Sequence, residues 1–162
     1  MKMSKLTAAY IAGFVDGEGH ISIYPFVRKD RDNQVYYKAQ FKVTNTNKEI
    51  IEWLKASFGG WIYTQNMSNP LHKIAYTWSL DSKNLKLVLQ SIYPYLKIKK
   101  KQAELVLEKL KLAEKFSGMV YEKEQVEQIR NIYLKLRILN KRGTSLHAER
   151  LTEITSKEEV IV

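Results

Sequence analysis

One glycine-rich stretch near the N-terminus decides how this chain folds: Tyr10-Ile11-Ala12-Gly13-Phe14-Val15-Asp16-Gly17-Glu18-Gly19. Apolar and good helix-forming residues over 8–15 predict a short helix that Thr7 caps and that the glycines end. Ala9, Gly13 and Gly17 are four residues apart, so they form one smooth stripe along this helix. A smooth stripe favours close approach of a second helix, and tight packing on the chain's own sheet is the alternative.

Two groups of charges lie where helix dipoles oppose them. Asp16 and Glu18 fall at the C-terminus of the predicted helix, where negative charge is unfavourable, so a nearby cation would stabilise them. A later predicted helix begins with lysines, at the end where cations are unfavourable: Lys97, Lys99, Lys100 and Lys101. An anion bound there would offset the lysines, and phosphate is the natural one. The alternative is a solvated cationic helix start.

After the glycine-rich stretch, apolar residues occur at every second position, which is the period of a strand. It predicts a strand over 20–28, a polar turn over 29–34 and a second strand over 36–44. A capping box from Thr46 to Glu49 then opens a helix that ends at Gly59-Gly60, and a second hairpin uses 61–65 and 73–80. Further helices are predicted from Asp81 or Ser82 to before Pro94, over 98–116 and over 122–140. We expect one domain over 1–143 and a C-terminal tail over 144–162.

These elements predict an α+β fold in an αββαββα order, with a four-stranded antiparallel sheet covered by helices on one face. The other face carries long polar and basic side chains, which suit phosphates and base edges in a major groove. A solvated sheet face is the alternative. The candidate DNA contacts are His20, Ser22, Tyr24, Arg28, Lys38, Gln40, Lys42, Thr44, Tyr63, Gln65, Lys73 and Thr77. We interpret Trp53, Trp61 and Trp78 as core or sheet-edge residues.

Composition narrows the class of partner. The 162 residues contain 27 Lys and Arg against 17 Asp and Glu, a net charge of +10, and no Cys. With 44% hydrophobic residues the chain has material for a core, which argues against a disordered basic tail. The missing cysteines and three scattered histidines exclude zinc modules. A nucleic acid is the favoured partner, while an acidic membrane surface or a ribosomal role also fits the charge. Without a membrane span or signal peptide, we expect an intracellular protein of unspecified compartment.

The quoted stretch resembles the LAGLIDADG motif of homing endonucleases, and the element order around it is similar to that family's fold. The resemblance covers about residues 7–140. It implies a sequence-specific double-strand DNA endonuclease that uses Mg²⁺, with Mn²⁺ as an alternative and Ca²⁺ supporting binding without cleavage. It places the metal site at Glu18 and Gly17, a charge-stabilising lysine at Lys99 and a metal- and water-network amide at Asn45. Asn45 also fits a simple turn role.

The motif occurs once, so the resemblance implies a homodimer. One carboxylate cannot hold a two-ion site, whereas two Glu18 side chains that meet over the DNA can. The interface would include Ala9, Gly13, Gly17 and Asp16, and the target would be long and near-palindromic. We predict no membrane and no other protein partner. The alternatives are an RNA maturase or a non-cleaving DNA-binding protein on the same fold, and a basic ribosome-associated or structural protein.

Overall fold

The structure, a computed structural model, describes residues 3–27, 35–65, 73–80, 82–115 and 122–141. The described elements follow the predicted order. They are α1 (Lys5–Glu18), β1 (Gly19–Val27), β2 (Val35–Asn45), α2 (Lys48–Phe58), β3 (Trp61–Gln65), β4 (Ala75–Ser79), α3 (Ser82–Ile92), α4 (Lys100–Lys115) and α5 (Lys123–Leu139). A single 3₁₀ turn over Tyr93–Tyr95, with Pro94 inside it, follows α3. Arg28, the predicted 29–34 turn and the 144–162 tail lie outside the described residues.

The four strands form one antiparallel sheet in the order β1-β2-β4-β3. The first hairpin is fully paired, from Gly19 opposite Val43 to Val27 opposite Val35. The two hairpins meet through β2 and β4, where Thr44 lies opposite Thr77. The predicted α+β fold, two αββ units joined in one sheet, is therefore confirmed.

The core lies between one face of the sheet and the helices. Strand residues at alternate positions point into it, among them Ile21, Phe41 and Trp78, all at most 1% exposed. Helix α2 contributes a stripe of Ile51, Leu54 and Phe58, as the hydrophobic period predicts. The Trp78 indole donates a hydrogen bond of 2.8 Å to the Gly59 carbonyl, which ties the end of α2 to β4.

The chain passes from α1 to β1 without a loop. A Cβ atom at Gly19 would lie 2.6 Å from the Val15 carbonyl oxygen, so a side chain there would force the backbone apart. The Gly19 N–H itself donates to that carbonyl. Close approach at Gly19 therefore fixes Glu18 at the junction of helix and sheet.

Two predicted helix caps are wrong, one by three residues and the other by one residue. Ser4 caps α1, because its hydroxyl accepts from the Thr7 N–H at 3.1 Å. Asn47 caps α2, because its Oδ1 accepts from the Ile50 N–H at 3.1 Å, so Thr46 and Glu49 form no capping box. A capping box that the sequence analysis did not predict is formed by Glu122 and Gln125 at the start of α5. Within the described part of the chain, no helix is long and apolar enough to cross a membrane.

Candidate nucleic-acid interface and active site

The sheet face opposite the helices is polar, and cross-strand pairing brings most candidate DNA contacts onto it. His20 lies opposite Lys42, Ser22 opposite Gln40 and Tyr24 opposite Lys38. Thr44, Thr77 and Tyr63 continue the face onto the second hairpin. None of the four strands contains an acidic residue within its bounds. Within the bounds of these strands, the face therefore offers donors and cations to a polyanion and no carboxylate to repel it.

Contacts within the face hold its side chains in place. The Ser22 hydroxyl donates to the Gln40 side-chain carbonyl at 3.5 Å. The Lys42 ammonium lies 5.6 Å from the centre of the Tyr63 ring. Such contacts limit the orientations that Gln40 and Lys42 adopt before any ligand arrives.

Thr77 lies on this face but is not at its surface. Its side chain is fully buried, and its hydroxyl hydrogen-bonds to that of Thr44 at 2.9 Å. The prediction that Thr77 contacts DNA is therefore wrong, because neighbouring side chains cover it. Lys73 is exposed and lies two residues before β4 begins. Gln65 ends β3, and Arg28 lies outside the described residues.

Two of the three tryptophans have the predicted core or sheet-edge position. Trp78 is fully buried, and Trp61 lies on the edge strand β3 with 45% exposure, whereas Trp53 lies on α2 with 39% exposure. Trp61 lies opposite Ser79, so strand alternation places it on the polar face. Once the β3–β4 register is known, the same alternation identifies Trp61 as a surface residue.

Glu18 is the last residue of α1 and is exposed. Among the described residues it makes no hydrogen bond or ion pair, so its carboxylate is free to bind a cation. The carbonyls of the last helical turn, Gly17 among them, lack intrahelical partners and carry the negative end of the helix dipole. Glu18 and Gly17 thus form an oxygen-rich corner beside the polar face.

Asp16 connects this corner to the lysine cluster. Its carboxylate accepts hydrogen bonds from the Lys97 N–H at 2.7 Å and the Lys99 N–H at 2.9 Å. Burial raises the pKa of the Asp16 carboxyl, but the N–H groups of residues 97–99 and the Lys99 charge outweigh burial and leave the pKa lowered. The anion at the start of α4 is therefore this carboxylate, where the sequence predicted phosphate.

The Lys99 side chain forms a second contact between the start of α4 and the end of α1. Its ammonium donates to the backbone carbonyl of Asp16, in the last turn of α1. The structure thus brings Lys99 to within two residues of Glu18 along α1, although the two are 81 positions apart in sequence. The Asp16 carboxylate is engaged by its own chain, and its place at a dimer interface stays a prediction.

Asn45 ends β2 on the same side of the molecule. Since Gly19 pairs with Val43, Asn45 extends two residues beyond, alongside the end of α1. Its side-chain oxygen accepts from the Asn47 N–H at 2.8 Å, which is a turn-forming contact just before α2. The local role that the sequence offered as an alternative is therefore the one its hydrogen bond performs.

The small-residue stripe of α1 faces away from the chain's own core. The buried side of this helix consists of Ala8, Ile11, Ala12 and Val15. Ala9, Gly13 and Gly17 are exposed, and a Cβ atom at either glycine would meet nothing within 4 Å. The alternative that the stripe packs on the chain's own sheet is wrong.

The candidate residue Asn45 lines an open cavity of about 510 Å³, together with Tyr10, Phe14, Asn47, Glu49, Ile50 and Trp53. A second cavity, of about 560 Å³ between α3 and α4, is lined by Lys83, Lys86, Leu87, Gln90, Lys109, Leu110, Ala113 and Glu114. None of these is a candidate residue. An open polar face with a reactive corner suits a macromolecular ligand better than a small molecule, which needs enclosure.

Comparison with known families gives a match over the residues that build this site. The sequence model of the LAGLIDADG endonuclease family matches residues 11–111, more than half of the chain, and the match includes the C-terminal half of α1, the whole sheet and the lysine cluster. This chain belongs to the LAGLIDADG endonuclease family. It carries one copy of the family's motif. Comparison with curated proteins gives no significant match.

Solved LAGLIDADG structures share the fold. The homing endonuclease I-CvuI in complex with its target matches with a TM-score of 0.72 and 22% identity, over 94% of each chain. The archaeal intron-encoded I-Vdi141I complexed with DNA matches with a TM-score of 0.70 and 20% identity, over 86% of this chain and 87% of that chain. I-SmaMI bound to uncleaved DNA matches with a TM-score of 0.65 and 19% identity, over 89% of this chain but 47% of that chain.

Glu18 and Gly17 at the end of α1 offer oxygen ligands that fit the divalent ion that LAGLIDADG endonucleases imply. The described residues contain no group of three or more acidic or histidine side chains that would hold a metal alone. Mg²⁺ needs fewer protein ligands than that, since it binds through one or two carboxylates and keeps waters or phosphate oxygens as its other ligands. Glu18 and the Gly17 carbonyl are hard oxygen donors of this kind.

Proposed function

We propose that this chain is a homodimeric, divalent-metal-dependent endonuclease that cuts both strands of a long, near-palindromic DNA target. The position of Glu18 carries the proposal. Glu18 is an exposed carboxylate at the corner where α1 meets the polar sheet face, two residues along α1 from the Asp16 carbonyl that binds the Lys99 ammonium. A protein that only binds DNA would need the polar sheet face but would not need an exposed carboxylate at the end of α1.

Each group at the corner has a distinct task. Glu18 and the Gly17 carbonyl would hold the ion beside the reacting phosphate. When bound, Mg²⁺ supplies Lewis acidity to the phosphate and activates a water. Lys99, kept in place by Asp16, would stabilise the negative charge that develops on the phosphate oxygens. The side-chain N–H of Asn45, whose oxygen holds the turn before α2, would orient water in the same network.

Metal use is also supported by the relatives. I-CvuI and I-SmaMI were both solved with DNA targets in the presence of calcium. We propose that Mg²⁺ supports cleavage here, with Mn²⁺ as a substitute, and that Ca²⁺ supports binding alone.

The homodimer is supported by three observations. Each chain supplies one Glu18, the α1 stripe is open to a second helix, and the chain matches about half of the I-SmaMI chain. In a two-fold dimer through α1, both sheets would face one side and read equivalent half-sites. The nine residues of β1, at about 3.3 Å each, match about nine base pairs, so the dimer would cover about 18.

Cleavage of a randomised duplex library by the purified protein tests this function. In Mg²⁺ we expect one family of related, near-palindromic sequences to be cut on both strands. In Ca²⁺ we expect the same family to be bound and recovered intact. Cleavage that ignores sequence, or that persists with EDTA, would contradict the proposal.

A further inference from the structure

The outer end of the polar face carries an aromatic cluster that the polar readout leaves unexplained. Phe26 is paired with Tyr36 across the hairpin, and Tyr24 is two residues before Phe26 on the same face. The Phe26 ring centre lies 5.8 Å from that of Tyr36 and 6.5 Å from that of Tyr24. Phe26 is still 37% exposed, so its two neighbours do not bury it.

Phe26 offers DNA no hydrogen bond, which restricts what it can recognise. Among the base edges of the major groove, the C5 methyl of thymine is the apolar group, and phenylalanine is one of the side chains that contact it. Lys38 is exposed opposite Tyr24, so its ammonium is placed to hold a phosphate beside the cluster. Phe26 is thus an apolar contact with a cationic anchor next to it.

The cluster also has a defined place along the target. Phe26 is six residues from His20, which begins the face beside Glu18, a distance of about 20 Å along the strand. Base pairs are spaced about 3.4 Å apart. The cluster therefore lies about six base pairs outward from the bases nearest His20.

We propose that the Tyr24–Phe26–Tyr36 cluster reads a thymine methyl group in the outer part of each half-site. This inference rests on the proposed DNA binding and adds the base that the outer end of the sheet selects. The alternative is that the cluster only stabilises the hairpin through its cross-strand aromatic pairs and does not contact DNA.

Replacement of thymine by deoxyuridine provides a direct test, because it removes the methyl group and keeps the base pairing. Duplexes selected from a randomised library in Ca²⁺ should be enriched in thymine at this outer position. Deoxyuridine there should weaken binding about fourfold for one half-site and about 15-fold for both. Deoxyuridine elsewhere in the same duplex serves as the control.

Two variants separate a contact from a structural role. Phe26→Ser should bind the thymine and deoxyuridine duplexes equally. Val35→Ser, which removes an apolar side chain of 38% exposure from the opposite face of the same hairpin, should keep the full difference. Should Phe26→Ser not fold, the deoxyuridine comparison with the unaltered protein still decides.

The results also distinguish this inference from the proposed function. Enrichment of related duplexes with less than twofold sensitivity to deoxyuridine would overturn the thymine contact alone. The same holds if Phe26→Ser keeps full sensitivity. If no duplex is enriched at all, the DNA-binding function fails and the thymine contact falls with it.

Discussion

Asp16 lies in the last turn of α1, where an acid opposes the helix dipole, and Lys99 lies just before α4, where a cation does the same. Each charge is placed at the favourable end of the other's helix. The Asp16 carboxylate accepts N–H groups at the start of α4, and the Lys99 ammonium donates to a carbonyl at the end of α1. Two locally unfavourable termini therefore become one favourable contact, which holds the Lys99 ammonium at the Asp16 carbonyl, two residues before Glu18 along α1.

This contact predicts a pH-dependent stability. The pKa of Asp16 is lower in the folded protein than in the unfolded chain. The unfolded state therefore takes up the proton first as pH falls, so the stabilisation is fully present above about pH 4 and is lost as pH falls through the folded pKa. We expect Asp16→Asn to lower the free energy of unfolding by about 1 kcal/mol at pH 7 and by much less near pH 2.

Urea denaturation at both pH values measures this effect. Glu52→Gln is the matched control, because Glu52 pairs with Lys48 at 3.2 Å on the exposed surface of α2. Its loss should change the free energy of unfolding by less than about 0.5 kcal/mol. An Asp16→Asn effect of the same size at pH 2 and pH 7 would show that the charge of Asp16 does not contribute.

Helix α1 buries one side in the core and leaves the other open along its whole length. Its exposed side combines the small stripe with larger apolar groups, Leu6 at 85% exposure and Tyr10 at 56%. Tyr10 also stacks on Phe14 and meets the edge of Trp53. A smooth stripe beside exposed apolar side chains suits a symmetric contact with a second copy of α1.

Gly13→Leu tests that contact without harm to the single chain. The site of the added Cβ atom is empty, and leucine favours a helix over glycine by about 1 kcal/mol, so the chain should stay folded. Between two α1 helices the leucine would prevent close approach. We expect sedimentation to show a folded monomer, with helical content retained by circular dichroism.

Asn131→Leu is the control for this substitution, since it adds an equally exposed leucine in the middle of α5. It should leave the dimer intact. A Gly13→Leu protein that remains a dimer would show that copies associate through another surface.

Sequence alone predicts the elements that local patterns determine. Apolar and polar residues alternate in β1 and β2, which predicts two strands and shows which face the core covers. The apolar residues of α2 repeat with the period of a helix, which predicts that helix and its buried side. The cap of α2 was missed by one residue, since Thr46 and Asn47 are both good capping residues and local pattern does not choose between them. Trp61 lies on the edge strand β3, which is one of the two positions that the sequence left open, and the strand order decides between them.

The Asp16–Lys99 contact shows what local patterns leave out. Both unfavourable helix ends were visible in the sequence, but their residues are 83 positions apart and nothing local pairs them. Their opposite charges are the feature that could have predicted the contact. An acid lies at the C-terminus of one helix and cations lie at the N-terminus of another, so each could stabilise the other. Burial of Thr77 likewise depends on neighbours from other strands.

The charges of the whole chain are distributed unevenly between its surfaces. The net charge is +10, and the four strands hold no acidic residue within their bounds. Acids on the helices are partly neutralised by neighbours, as in the Lys86–Glu114 contact of 2.6 Å between α3 and α4. The four strands therefore keep an excess of positive charge on the sheet face, and the exposed Glu18 carboxylate lies at the edge of that face.

The central claim is that Glu18 holds the ion that cleaves DNA bound on the sheet. Glu18→Gln tests it most directly, because the amide keeps the shape of the side chain and removes the charge. On a duplex selected from the library, affinity is measured in Ca²⁺ and the cleavage rate in Mg²⁺. Glu104→Gln, which changes an exposed acid in the middle of α4, is the control.

We expect Glu18→Gln to change the cleavage rate of this duplex but not the affinity for it. For Glu18→Gln, affinity should stay within about threefold of the unaltered protein while the cleavage rate falls by about 100-fold or more. Glu104→Gln should change neither. Cleavage by Glu18→Gln within tenfold of the unaltered protein would contradict the assignment of Glu18 and, with it, the active site at the end of α1.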